Sequence, residues 1–146
     1  MFVTPEIAQE LKKRGFNEGC HAYYTLTTQR LCFSEALVTH QNLYEDYSLA
    51  PTWDEAFMWL RKNHIHVTFN PRSWDYINDM HIIKWSFWAD ILDIWMTNIS
   101  IDDRDTDDPY DTYEKAREAA FIGALKLYDR LPEIREKLNN ITNGTK

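Results

Sequence analysis

The twelve residues from Asp103 to Glu114 carry carboxylates at their first, third, fifth, ninth and twelfth positions: Asp103, Asp105, Asp107, Asp111 and Glu114. Oxygen donors at that spacing, with a helix beginning at the end, are what a Ca²⁺ loop needs. The sixth position, however, is Asp108, where such a loop uses glycine for its sharp turn, and Pro109 follows at once. A solvated acidic loop whose Asp111 and Glu114 cap the next helix is therefore the expectation, and a Ca²⁺ titration decides between the two. His64 and His66 are spaced like a metal-binding His-x-His pair on one side of a strand, with His81 as a candidate from the next strand. No acidic third ligand has an evident place, so the expectation is polar residues on a wet sheet face. Cys20 or Cys32 with His21 or His40 makes a thiol–imidazole dyad on paper only, since closeness in sequence does not give geometry. There is no Gly-x-Ser-x-Gly and no phosphate loop. The residues name no catalytic, cofactor or metal set.

Six tryptophans, Trp53, Trp59, Trp74, Trp85, Trp88 and Trp95, are more than one small core absorbs. If Trp85 and Phe87 face inward, Trp88 faces away. Exposed aromatics of this kind suggest a protein-binding surface, including a homo-oligomeric one.

Composition narrows the choices. The chain has 146 residues, 44% of them hydrophobic and 14% aromatic, enough to fill the core of a single domain. The net charge is −7, of which Asp102 to Asp111 supplies −5. The acidity is thus focal, and no basic cluster exceeds Lys12-Lys13-Arg14. That argues against nucleic-acid binding, which needs a basic face, and against nucleic-acid mimicry, which needs negative charge spread over a surface. The first residues have neither the basic nor the apolar segment of a secretory signal, and no apolar run approaches the roughly 20 residues that span a bilayer. A cytoplasmic protein with two reduced thiols is expected.

The elements that must position these residues follow from capping and periodicity. Thr4-Pro5-Glu6 opens a first helix that closes near Arg14 and Gly15. His21 to Leu26 and Leu31 to Val38 read as a hairpin, and His40 to Ala50 as loop. Thr52-Trp53-Asp54-Glu55 is a capping box for a second helix whose inner face is Trp53, Ala56, Phe57 and Leu60. Ile65, Val67 and Phe69 alternate with polar residues as in a strand, which Pro71 is expected to stop. Ile82 to Trp95 fits a strand or a helix equally well by periodicity. Asp111-Thr112-Tyr113-Glu114 opens the longest helix, with Ala116, Ala120, Ala124 and Leu127 along one side, small enough to lie close to a sheet. Pro132 predicts a break, leaving a short terminal helix and a frayed tail over residues 132–146. The shared Thr, aromatic, acid, any, Ala pattern at Thr52 and Thr112 leaves a β-β-α duplication open.

The string Ala50-Pro51-Thr52-Trp53-Asp54-Glu55-Ala56-Phe57-Met58-Trp59-Leu60-Arg61 with His64-Ile65-His66-Val67 resembles short proteins from phages and mobile elements of Bacteroides-type gut bacteria. So does Tyr110-Asp111-Thr112-Tyr113-Glu114-Lys115-Ala116-Arg117-Glu118-Ala119-Ala120 with Ala124-Leu125-Lys126-Leu127. These motifs are helix caps and core faces and imply no reaction. The resemblance implies strands before the Thr-Tyr-Glu helix, which turns Ile82 to Trp95 into mostly strand. It also implies an accessory protein that acts by protein–protein interaction, with a small metal-dependent or hydrolytic enzyme as the alternative. The expected fold is α+β, with about four mainly antiparallel strands and two main helices on one face.

Overall fold

The Thr4 hydroxyl accepts the Ile7 N–H at 3.4 Å, Pro5 occupies the first turn, and α1 runs Pro5–Lys13. It ends at Gly15, whose φ of +82° is cheap only for a residue without a β-carbon. In the computed structural model the described residues are 1–77, 80–91, 100–102 and 110–143. Their side chains are described except at 70, 72–77, 80–84, 100–102, 138, 142 and 143. The chain divides into two compact units, Met1–Trp59 and Leu60–Lys146, each with its own antiparallel sheet. The fold is α+β.

In the first unit, β1 (Cys20–Thr25) and β2 (Leu31–Val38) form the expected hairpin, with Gln29 in the left-handed region at φ 53°. The segment read as loop contains a short 3₁₀ turn at His40–Asn42 and a third strand, β3 (Tyr47–Leu49), on the far side of β1. Three residues are too few to show an alternating pattern. Tertiary hydrogen bonds hold β3: Ser48 donates to the Ala8 carbonyl at 2.9 Å, and Lys12 donates to the Glu45 and Tyr47 carbonyls at 2.7 Å each. Tyr24 reaches the Val3 carbonyl at 2.8 Å in a buried position, so the polar tip of a core aromatic is satisfied.

The helix α2 (Trp53–Lys62) starts on the reciprocal box that the sequence shows. Glu55 N–H donates to the Thr52 hydroxyl at 3.3 Å, and the Glu55 carboxylate accepts from Thr52 N–H at 2.6 Å. Loss of this cap in Thr52→Ala is expected to cost about 1 kcal/mol, readable as a lower urea midpoint. An unchanged midpoint would show that the box is ornamental.

In the second unit, β4 (Ile65–Ile77) and β5 (Met80–Ile91) make a long hairpin, and β6 (Ser100–Asp102) pairs with the far edge of β5. The strand reading of Ile82 to Trp95 holds as far as Ile91; residues 92–95 lie outside the described set. Pro71 does not stop β4. Its partner Trp85 exchanges both backbone hydrogen bonds with Tyr110, at 2.9 and 3.0 Å, so Trp85 points its N–H and carbonyl away from β4. Pro71 therefore faces a position that asks for no donor, on a strand at the sheet edge, where proline is tolerated.

The last helix, α3 (Tyr113–Asn143), packs on this sheet, chiefly on β5 and β4. Ala116, Ala120 and Ala124 are all fully buried, as the small-residue stripe predicts. Two expectations fail here. The cap is Thr112, whose hydroxyl accepts Lys115 N–H at 3.2 Å; exposed Asp111 instead stands 3.9 Å from Lys115. Pro132 does not break the helix, because buried Leu131 and Ile134 on either side of it keep the continuing turns in the core.

The described residues hold six strands, antiparallel in two sheets, where about four were expected. Each unit does run three strands into a capped helix. The strand orders nevertheless differ, β2-β1-β3 against β4-β5-β6, so the centre strand is the first of one unit and the second of the other. The shared pattern at Thr52 and Thr112 is matched by the common need for a cap.

Candidate functional sites

The histidines are the first test of chemistry. Strand β4 begins at Ile65, and His64 sits before it at φ 67°, so the two do not share a strand face. His81 pairs with Tyr76, ten residues along β4 from His66, about 33 Å at the usual rise. The three histidines do not meet. The register supplies instead a residue the sequence did not point to: Asp90 lies directly opposite His66, and Ser100 lies beside Asp90 on β6. Cross-strand neighbours have β-carbons about 4.5–5.5 Å apart. A carboxylate opposite an imidazole is a pair, whereas nucleophilic catalysis needs the imidazole between a nucleophile and an acid. Two donors are also fewer than the three protein ligands of a catalytic zinc. Among the described residues, no three His, Cys, Asp or Glu side chains gather as a metal site.

The acidic segment lies mostly outside the described residues, which leave out 103–109. Of its five candidate ligands, Asp111 and Glu114 are described, and both are exposed.

The paper dyads are not formed. The Cys20 thiol donates to the Glu18 carbonyl at 3.5 Å and the Cys32 thiol to the Arg30 carbonyl at 3.9 Å. Burial, with smaller contributions from the Glu55 and Glu18 charges, pushes the Cys20 thiol up to about 12. It stays protonated and is no nucleophile. His21, one residue on, is exposed while Cys20 is buried, as strand alternation requires.

His40 is a different kind of group. Its backbone N–H donates to Asn17 Oδ1 at 2.8 Å, yet both ring nitrogens are buried with no hydrogen-bond partner. Burial, and then the Lys12 ammonium on α1, hold its pKa below the ordinary imidazole value. A base depressed in the folded state leaves stability unaffected above about pH 6.5 and lowers it as pH falls from there through the folded value. The urea midpoint is therefore expected to decline below about pH 6.5, and His40→Gln to flatten that limb. A variant that keeps the full slope would assign it to other groups. The ion-paired carboxylates Glu10 and Glu133 are held low by Arg14 and Lys137 and act only in the more acid range below 4.5.

The expectation about exposed tryptophans is revised. Trp53 and Trp59 are buried, and Trp85 stacks edge-on against Tyr113 at 5.0 Å beneath the start of α3. Trp88 lies on the opposite face from Trp85 and is half-buried. Trp74 and Trp95 fall outside the described side chains. The exposed large apolar side chains of the first unit are instead Met1, Tyr44 and Met58, together with Phe33 at 68% and Leu37 at 58% exposure on β2. Phe33 meets Phe2 edge-on at 5.7 Å, and Phe2 bridges to Thr52, whereas Leu37 stands four residues on along β2, beside Gly19. β2 is the edge strand there. Between the pairs Ala22–Phe33 and Cys20–Val38 it advances five residues while β1 advances two. That irregularity pushes Glu35, Ala36 and Leu37 outward and breaks the ladder that an incoming strand would extend.

The fold and these surfaces define a small α+β protein with two three-stranded antiparallel sheets and an apolar margin on a bulged edge. No family model, curated protein or solved structure matches the chain. No helix among the described residues is long and apolar enough to cross a membrane.

Proposed function

We propose that this chain is a cytoplasmic accessory protein of a phage or mobile element that acts by binding another protein. The observation that carries the reading is the exposure of Phe33 and Leu37 on the one edge strand β2. Large apolar side chains held mostly in water next to a bulged edge add little to the stability of the chain itself, and exposed apolar surface is what a protein partner covers. The bulge favours recognition by side chains over strand addition. The phage assignment rests on the resemblance of the helix motifs at Thr52 and Thr112.

The test compares affinity capture on the wild-type protein and on the Phe33→Glu/Leu37→Glu variant, together with sedimentation of each. A stoichiometric partner, or a second copy of the chain, that the variant loses supports the reading. Equal retention by both proteins, or capture by neither with both monomeric, removes it. The alternative of a small metal-dependent or hydrolytic enzyme is favoured only by His66 facing Asp90. Saturable Zn²⁺ binding abolished by His66→Ala would move the assignment there.

A further inference from the structure

Tyr128, Leu131, Pro132 and Arg135 fall at i, i+3, i+4 and i+7 of α3, so they stand in one row on the helix surface. Asn63, just past the end of α2 and within the second unit, faces that row, and the five residues enclose a recess of about 180 Å³. This is below the roughly 300–1,000 Å³ of pockets that take a cofactor or drug-sized molecule, and suits a single side-chain-sized group. Buried Leu131 and the ring of Pro132 make it apolar on the helix side.

Its charge is one-sided. Among the described residues Arg135 makes no hydrogen bond or ion pair, although Lys137, two residues on, is bonded to Glu133 at 2.6 Å. A guanidinium offers five donors in a planar fork that matches a carboxylate with two parallel bonds. The recess also sits where the helix departs from local preference: proline in a helix interior costs about 3 kcal/mol relative to alanine. Such departures concentrate where a surface serves something other than stability.

We infer that this recess binds a carboxylate carried on a small apolar body, with Arg135 taking the carboxylate and Leu131 and Pro132 the apolar part. A peptide C-terminus and a free branched-chain acid share that chemistry. The site lies in the second unit and stands independently of the Phe33 margin.

The test is a titration followed by the backbone amide resonances of residues 128–135, with three probes: N-acetylleucine, its neutral amide, and isovalerate. Saturable shifts with N-acetylleucine at millimolar concentration, absent with the amide, are expected. Arg135→Gln should weaken binding about tenfold, the loss of one charge-assisted bond pair, while Lys137→Gln leaves it unchanged. Isovalerate binding as well as N-acetylleucine assigns the site to a free acid; weaker binding assigns it to a chain end. No saturation, equal shifts with the neutral amide, or an Arg135→Gln variant that binds normally would each overturn the inference.

Discussion

Truncation of Phe121 to alanine is expected to lower the stability of the second unit by about 3–5 kcal/mol, the usual cost of deleting a buried aromatic ring. Phe121 is fully buried on α3, whereas the next residue, Ile122, is 42% exposed. The stability of a domain is itself only about 5–15 kcal/mol, so the truncation removes a large share of it. Ile122→Ala changes the same helix at the adjacent position but deletes carbons that are partly in water, and should cost under about 1 kcal/mol. Hydrogen exchange of the α3 amides reads both in the unit concerned. Equal losses would mean that α3 does not turn Phe121 inward and Ile122 outward.

Pro132→Ala has an expected effect of opposite sign, a gain of up to about 3 kcal/mol in α3. The substitution restores an N–H where the ring supplies none to the Tyr128 carbonyl, and removes the ring's clash with the preceding turn. The gain appears only if the helix is continuous through this position. At a true helix end, alanine would change little, and slower exchange of amides on both sides of residue 132 would not be seen. The helix tolerates the proline because Leu131 and Ile134 are buried by its continuation, and a fully buried apolar side chain contributes about 1.5–3 kcal/mol. Two such residues offset one proline.

Pro71 makes the same point for a sheet. Read along the chain, a proline after Ile65, Val67 and Phe69 ends a strand. In the fold it stands at an edge, opposite a residue whose hydrogen-bonding groups face the other neighbour. Whether a missing N–H matters depends on which way the position points, and pairing sets that. His66 and Asp90 are likewise 24 positions apart in sequence and adjacent only because the β4–β5 register brings them together. Asp90 follows from the antiparallel pairing of the two strands once Ile77 is set opposite Met80, a register that the sequence pattern did not identify.

What the sequence determined by itself is every feature fixed by interactions three or four residues apart. Thr4, Thr52 with Glu55, and Thr112 start the helices where their hydroxyls reach the free N–H groups. Gly15 stops α1 through its own φ, and Ala116, Ala120 and Ala124 present one small face by helical repeat alone. What only the tertiary structure decided depends on partners distant in the chain. The three-residue β3 exists because it is tied to α1, through the Lys12 side chain on the Tyr47 carbonyl and the Ser48 hydroxyl on the Ala8 carbonyl. The two prolines are tolerated by edge placement and by burial. The surplus of aromatics resolves into tryptophans buried at Trp53 and Trp59 and phenylalanine exposed at Phe33. The strand period says which residues share a face, and only the packed fold says which face meets water.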